Sequence, residues 1–153
     1  MHIEQATLSD LDDLSPLFSA YLHFYGVEKS AQQVSDFLHD RLLQGQSIIF
    51  IARDVSTKAL GFVQLYKFFA SLHLAPALLL SDLYVAPHAR RQGVGERLMN
   101  AARNYGESTG VCGLQLETAK DNTAGQALYE RLGYCRDNAF YTYWLGLPAR
   151  ANS

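Results

Sequence analysis

The stretch Leu83-Tyr-Val-Ala-Pro-His-Ala-Arg-Arg-Gln-Gly-Val-Gly-Glu96 decides how the rest of the sequence is interpreted. An apolar, strand-like run ends at Pro87, which cannot donate to the hydrogen-bond ladder of a sheet. Gly93 and Gly95 then open a helix, and glycine lets the backbone approach a ligand closely. The first N–H groups of a helix, together with its dipole, favour an anion. The stretch therefore predicts a strand–loop–helix unit that binds a phosphate-bearing ligand.

The charge of this region supports the same interpretation. Residues 88–103 contain four arginines and one glutamate, a net charge of +3, whereas the whole chain has a formal net charge of −2. No Gly-Lys-Ser/Thr is present, so the loop is not a P-loop. It is not a dinucleotide-binding Gly-x-Gly-x-x-Gly either, because its last position is Leu98. The competing interpretation is a tight turn whose arginines are merely solvated.

The elements on either side of the loop predict a mixed α/β sheet in a single domain spanning residues 1–153. Hydrophobic patterns predict strands at residues 3–6, 48–52, 61–69, 78–85, 114–118 and 140–145. Helices are expected to begin with caps at Ser9 and at Ser30, at the glycine loop, and at Asn122 or Thr123. Gln33 completes a capping-box pattern with Ser30.

Length and composition restrict the class of protein. A chain of 153 residues with 48% apolar and 18% charged residues can bury one core. A net charge of −2 argues against a nucleic-acid binder and gives no reason to expect membrane attraction. The first residues lack the basic and apolar regions of a signal peptide, so we expect a cytoplasmic protein.

Several residues are expected to have packing roles or none. Cys112 and Cys135 are too few for a disulfide framework or a four-cysteine zinc site, and we expect both to pack as small apolar residues. The five histidines lack the spacing of metal ligands, so no metal is expected. Trp144, in the aromatic run 140–144, is expected in the core.

Two motifs resemble those of the GNAT acetyltransferases. The first is Arg90-x-x-Gly93-x-Gly95 after Leu83-x-Val85. The second is similar to that family's later strand–helix–strand block, and it reads Leu114-x-Leu116-x-Thr118, Asn122 and Leu128-Tyr129-x-x-x-Gly133-Tyr134. The order of elements also agrees over nearly the whole chain. The resemblance implies the GNAT acyl-CoA N-acyltransferase fold, with a central, splayed, mostly antiparallel sheet flanked by helices.

The resemblance also implies acetyl-coenzyme A as co-substrate and assigns residues to it. In the family, backbone N–H groups of the glycine loop hold the pyrophosphate, which here assigns Arg91, Gln92, Gly93, Val94, Gly95 and Glu96. Arg90 adds positive charge at the same end and is also assigned to the coenzyme. The pantetheine arm lies against the bulged fourth strand, which here assigns Leu83, Tyr84 and Val85. Asn122 matches the family's asparagine near the pantetheine, and Gly125 stands where the family often has alanine.

Acetyl transfer to an amine needs a base for the amine, a donor that stabilises the oxyanion and an acid for the leaving thiolate. A lysine-like amine has a pKa of about 10.4, so it must lose a proton to a base or along a water path before it attacks. Asp82 and Glu117 are the two candidate bases, and a water chain without a single base is the third option. A strand N–H near Leu83 can stabilise the oxyanion. Tyr129 matches the family's tyrosine that protonates the leaving thiolate, and the alternative for its ring is core packing.

The first third of the chain suits a cationic acceptor. Residues 1–50 hold seven acids and two bases, a net charge of −5. Tyr21 and Tyr25 add aromatic faces that attract cations, and with Asp82 they are the predicted acceptor site. We expect a small primary amine, polyamine-like or amino-acid-like. Protein or peptide amino groups, or a non-catalytic acyl-coenzyme A sensor, are the alternatives. The family further implies a homodimer.

Overall fold

A five-stranded sheet forms the framework of residues 1–117. In the computed structural model, which describes residues 1–149, its strands follow one another in chain order. They are β1 (His2–Gln5), β2 (Ser47–Arg53), β3 (Ala59–Ala70), β4 (Ala75–Val85) and β5 (Leu114–Leu116). All neighbours are antiparallel except β4 and β5, which are parallel. The predicted mixed, mostly antiparallel sheet is confirmed.

Three helices accompany this sheet: α1 (Leu11–Phe24), α2 (Ala31–Leu43) and α3 (Val94–Thr109). The capping box at α2 is confirmed, since Ser30 Oγ accepts from the Gln33 N–H at 3.1 Å and Gln33 Oε1 accepts from the Ser30 N–H at 2.9 Å. The predicted Ser9 cap on α1 is wrong. Ser9 lies inside a short 3-10 turn, Leu8–Asp10, that the Thr7 N–H stabilises by donating to Asp10 at 2.8 Å.

The two faces of the sheet bury different helices. On one face, α1 and α2 cover a cluster that includes Phe18, Leu38, Ile51 and Phe62, all buried. Side chains alternate between faces along a strand, so Phe50 points to the other side from Ile51. There its ring lies 5.9 Å from that of Tyr105 on α3. Each side of the sheet therefore has its own apolar layer.

A buried arginine joins β1 and α1 to the end of β2. Arg53 donates to Glu4 at 3.0 Å and to Asp13 and Asp10 at 2.8 Å each. Burial alone lowers the pKa of Arg53, but its hydrogen bonds with Asp13, Asp10 and Glu4 outweigh burial, so that the pKa is raised. A buried charge with partners is far less costly than an unpaired one, so this cluster is a structural feature.

The chain from Thr118 onward forms a second compact unit. It contains helix α4 (Thr123–Arg131), followed by irregular backbone up to residue 149. The predicted strand at 140–145 is therefore wrong, and so is the core position of Trp144, which is 90% exposed. The alternating pattern shows that a segment suits a strand, but a strand also needs a neighbour for its backbone hydrogen bonds. The prediction of one domain spanning residues 1–153 stays a prediction.

The positions of the two cysteines differ from the prediction. Cys112 and Cys135 are both exposed free thiols, so their predicted packing role is wrong. Cys112 lies just before β5, where its N–H donates to Pro76 O at 2.9 Å while its side chain is exposed. None of the helices formed by residues 1–149 combines the length and apolar character needed to cross a membrane.

Candidate active site

Strands β4 and β5 separate after a short contact. They pair over three residues only, Leu78–Leu80 with Leu114–Leu116, whereas β4 continues to Val85. Residues 83–85 pair with β3 on one side, and within residues 1–117 no strand covers their other side. This separation of β4 from β5 is the splay that the resemblance predicted. An open strand edge offers backbone N–H and C=O groups to an extended ligand.

A β-bulge at Ser81 decides which way Asp82 points. Leu65 pairs with Leu80 and Gln64 pairs with Asp82, so Ser81 is the extra residue on β4. Gln64 and Leu65 are consecutive and face opposite sides of the sheet, and their partners Leu80 and Asp82 do likewise. Without the bulge, Asp82 would share the face of buried Leu80. The bulge instead turns the carboxylate to the side of α1 and α2.

Asp82 is held by a glutamine from the neighbouring strand. Gln64 Nε2 donates to Asp82 Oδ2 at 2.8 Å, and among residues 1–149 Asp82 has no other hydrogen bond or ion pair. Gln64 is completely buried and its Oε1 has no hydrogen-bond partner. A buried acceptor without a partner costs about 1–3 kcal/mol. Sequence reasoning missed Gln64, although a glutamine inside the apolar run 60–65 was a signal.

Tyr66 was also missed, and it lies on the same face as Gln64, two residues further along β3. Burial and the negative charge of Asp82 raise the pKa of the Tyr66 phenol to about 12, while Arg41 acts in the opposite direction. The phenol therefore stays protonated at neutral pH and remains a hydrogen-bond donor near the carboxylate.

The predicted acceptor tyrosines lie on this face as well. The ring of Tyr21 lies 5.9 Å from that of Phe62 and 6.2 Å from that of Tyr84, which flank Gln64 and Asp82 along their strands. The ring of Tyr25 lies 5.2 Å from that of Tyr21 and is 56% exposed. The fold thus brings both tyrosines to the side of the sheet that carries Asp82.

The loop after β4 contains one arginine with several contacts. Arg90 Nε donates to Val85 O at 3.0 Å, and its guanidinium lies 5.6 Å from the ring centroid of Tyr84 and 5.8 Å from that of Phe24. Arg90 therefore links the end of β4 to the C-terminal end of α1. Its charge is placed over aromatic faces, which is favourable, rather than simply solvated.

The glycine loop presents the start of α3. After a 3-10 turn at Pro87–Ala89, Arg91 and Gly93 both have positive φ, +62° and +79°, and α3 begins at Val94. The first N–H groups of α3 have no acceptor within the helix and are available to an anion. Arg91 and Gln92 are exposed beside them. These features suit a pyrophosphate.

The remaining predicted residues have different surroundings. Glu117 follows β5 directly, is exposed, and has no hydrogen bond or ion pair within residues 1–149. In the second unit, Asn122 caps α4: its Oδ1 accepts from the Gly125 N–H at 3.1 Å and its Nδ2 donates to Thr118 at 3.0 Å. A Cβ at Gly125 would meet the Asn122 amide, so an alanine there would require that side chain to shift.

Tyr129 lies on α4 and is half-buried. Its ring centroid is 6.4 Å from that of Tyr134, and its carbonyl oxygen accepts from the Tyr134 N–H at 3.0 Å. The two tyrosines thus pack together at the end of α4, where Gly133 has a φ of +98°. Within residues 1–149, no group of three or more His, Cys, Asp or Glu side chains is arranged to hold a metal ion.

Comparison with known proteins identifies the family. Residues 12–134 match the acetyltransferase (GNAT) family. The chain belongs to this family. Over 150 residues, this chain is 39% identical to an uncharacterized N-acetyltransferase, YhfO, of Bacillus subtilis (strain 168). The matched region covers 98% of this chain and 100% of that protein.

Solved structures agree with this assignment. A crystal structure of a probable acetyltransferase is 38% identical and superposes with a TM-score of 0.91, covering 98% of this chain and 100% of the other. AAC(6')-Iy, solved in complex with the bisubstrate analog CoA-S-monomethyl-acetylneamine, shares the fold at 19% identity. Its TM-score is 0.81 with 95% and 98% coverage. The protein is therefore a GNAT N-acetyltransferase, as its motifs indicated.

Proposed function

We propose that this GNAT enzyme transfers an acetyl group from acetyl-coenzyme A to a primary amine of a small molecule, polyamine-like or amino-acid-like. The Asp82 carboxylate carries the proposal, because the Ser81 bulge turns it to the face of Tyr21 and Tyr25, beside the open edge of β4. An acid next to aromatic rings suits an ammonium group. The net charge of −5 in residues 1–50 supports the same acceptor.

The loop and strand residues assigned from the family are proposed to hold acetyl-coenzyme A. The first N–H groups of α3, from Val94 onward, suit the pyrophosphate, and Arg91 adds positive charge beside them. The open edge of residues 83–85 suits the amide groups of pantetheine. The role of Asn122 near the pantetheine remains part of the proposal, although both ends of its amide serve the cap of α4.

The chemistry is proposed as direct attack in a ternary complex. Asp82, Glu117 or a water path takes a proton from the ammonium, and the neutral nitrogen attacks the thioester carbonyl carbon. A backbone N–H near Leu83 on the open edge stabilises the oxyanion. As the carbon–sulfur bond breaks, Tyr129 gives its phenolic proton to the thiolate. The nitrogen loses its remaining excess proton to solvent, which leaves the neutral amide, and solvent reprotonates Tyr129. Asp82 is favoured over Glu117 because it lies on the same side of the sheet as Tyr21 and Tyr25, whereas Glu117 is exposed.

The setting is also a proposal. We propose a cytoplasmic homodimer that uses no metal and binds neither nucleic acid nor membrane. Exposed free thiols at Cys112 and Cys135 suit a reducing compartment. Six large apolar side chains between residues 140 and 147 are at least 78% exposed, which suits contact with a second copy.

The test is acetyl-coenzyme A turnover with spermidine, alanine and a lysine-containing peptide. We expect turnover with spermidine or alanine and a loss in kcat/KM of about 10²-fold or more for Asp82→Asn, within the range for general acid–base groups. Asp36→Asn, an exposed acid on α2, is the matched control. Faster turnover of the peptide would favour a protein substrate, and coenzyme A binding without any turnover would favour the sensor. In the same assay, Tyr129→Phe with unchanged kcat would contradict the acid role.

A further inference from the structure

Gln64 and Asp82 form a polar pair in the middle of the sheet, in which one buried acceptor atom makes no hydrogen bond. The fold alone does not require a polar residue at this position. Gln64 is 0% exposed. Ile49, which pairs with it on β2, and Phe62, two residues earlier on β3, are also buried. An apolar side chain of the same length would fill this position without leaving Oε1 unpartnered. A polar side chain at a fully buried position calls for a specific explanation, and its hydrogen-bond partner supplies one.

The one hydrogen bond that Gln64 makes is directed at Asp82. Its Nε2 donates to Asp82 Oδ2 at 2.8 Å, and no other group among residues 1–149 bonds to that carboxylate. An amide that donates to a carboxylate restricts its rotation and leaves the second oxygen available. Gln64 itself has no freedom to move, because its side chain is enclosed by the core.

We propose that Gln64 is the positioning residue for Asp82. It holds Oδ2, so that Oδ1 faces the acceptor amine on the side of Tyr21 and Tyr25. The inference rests on the proposed role of Asp82, and Gln64 itself touches neither substrate. The bulge at Ser81 and the buried amide act together: the bulge selects the face, and the amide selects the rotamer.

The kinetic test uses Gln64→Met, which keeps the length of the side chain and removes its donor. With acetyl-coenzyme A and spermidine, we expect the KM for spermidine to rise or kcat to fall, lowering kcat/KM about tenfold, while the KM for acetyl-coenzyme A stays unchanged. Because the effect passes through Asp82, the double variant Gln64→Met/Asp82→Asn is expected to equal Asp82→Asn alone. A purely structural role would also raise the KM for acetyl-coenzyme A and would add to the Asp82→Asn loss.

A matched control comes from α2, where Gln32 Nε2 donates to Asp36 Oδ1 at 2.7 Å on the surface. Gln32→Met removes the same kind of bond away from the site and is expected to leave kinetics unchanged. Gln64→Met kinetics equal to those of Gln32→Met, or additive losses in the double variant, would overturn the inference.

A second readout does not depend on which amine is the acceptor. In crystal structures, we expect Asp82 to adopt one rotamer in the wild type and a different or split rotamer in Gln64→Met. An unchanged single rotamer in the variant would overturn the role of Gln64. Wild-type turnover by Asp82→Asn would instead overturn the proposed function of Asp82, so the two failures are distinguishable.

Discussion

Tyr66 extends the row of β3 side chains, with Phe62 and Gln64, that points toward α1 and α2. Its phenol is half-buried near Asp82, and this environment disfavours the negative phenolate. Burial and Asp82 together raise the pKa of Tyr66 from 10.0 to about 12. The position of one side chain thus has a measurable consequence for the pH dependence of folding.

We predict that Tyr66→Phe reduces the loss of stability between about pH 10 and pH 12. Below pH 10 the phenol is protonated in both states and contributes no pH dependence. Between the unfolded value of 10.0 and the folded value of about 12, the unfolded chain has lost this proton while the folded protein keeps it, so the free energy of unfolding falls as pH rises. Urea unfolding at pH 9 to 12 measures the difference.

The control for this prediction is Phe69→Leu. Phe69 is an exposed aromatic residue of the same strand and has no titrating group, so this variant is expected to keep the wild-type slope. Equal slopes for wild type and Tyr66→Phe would contradict the assigned environment of Tyr66.

Sequence reasoning found Asp82 but not its orientation or its partner. A strict alternation along β4 places Asp82 on the same side as Leu80, and only the bulge at Ser81 moves it. Bulges have no reliable sequence signature, because the extra residue is selected by pairing with the neighbouring strand. Gln64 was missed for the same reason, since its importance comes from the residue opposite to it.

At the scale of elements, sequence motifs predicted the structure correctly where the residues that interact are close together in the chain. Ser30 and Gln33 cap α2 with the two hydrogen bonds that their spacing predicts. The glycine loop also begins α3 as expected, with Gly93 at a φ of +79°. Strand ends were less accurate: β5 ends at Leu116 rather than at residue 118, because its length depends on where β4 diverges from it.

We predict that Gly93→Ala weakens coenzyme A binding at least fivefold. A Cβ at this position would meet no atom within 4 Å, so the cost is the left-handed backbone, about 1–2 kcal/mol for an L-residue. Relief of that strain would rotate the peptide groups that start α3 and misdirect their N–H groups. Calorimetric titration with coenzyme A measures the affinity.

Gly110→Ala is the matched control, because Gly110 ends the same helix with a φ of +74° and equally open surroundings. It is expected to lose similar stability while binding coenzyme A normally. Equal affinities for Gly93→Ala and the wild type would contradict the assignment of the loop to the pyrophosphate.

At the scale of the whole molecule, the aromatic segment near the C-terminus is the main departure from expectation. Phe140, Tyr141, Tyr143, Trp144, Leu145 and Leu147 are all at least 78% exposed. We predict that this segment is covered in a homodimer, since apolar groups of this size gain about 25 cal/mol per Å² when removed from water. Replacing both Tyr143 and Trp144 with serine is expected to yield a monomer in sedimentation equilibrium.

Trp144 is the only tryptophan in the sequence, so its fluorescence reports on this segment directly. In a dimer, acrylamide quenching is expected to increase on dilution as the ring becomes exposed. The control is the pair Val55→Ser and Leu72→Ser, which changes exposed apolar residues elsewhere on the surface. A wild-type protein that is monomeric at all concentrations would contradict the prediction.

The sequence by itself determined the order of the elements up to α4, the caps of α2 and α4, the glycine loop and the family, because these depend on residues close together in the chain. The sequence also showed that residues 1–50 and residues 88–103 carry opposite net charges. The tertiary structure decided the splay of β4 from β5, the face on which Asp82 lies and the hydrogen bond from Gln64. Each of these depends on pairing between strands that the chain brings together from a distance, and residue periodicity along one strand does not encode its partner.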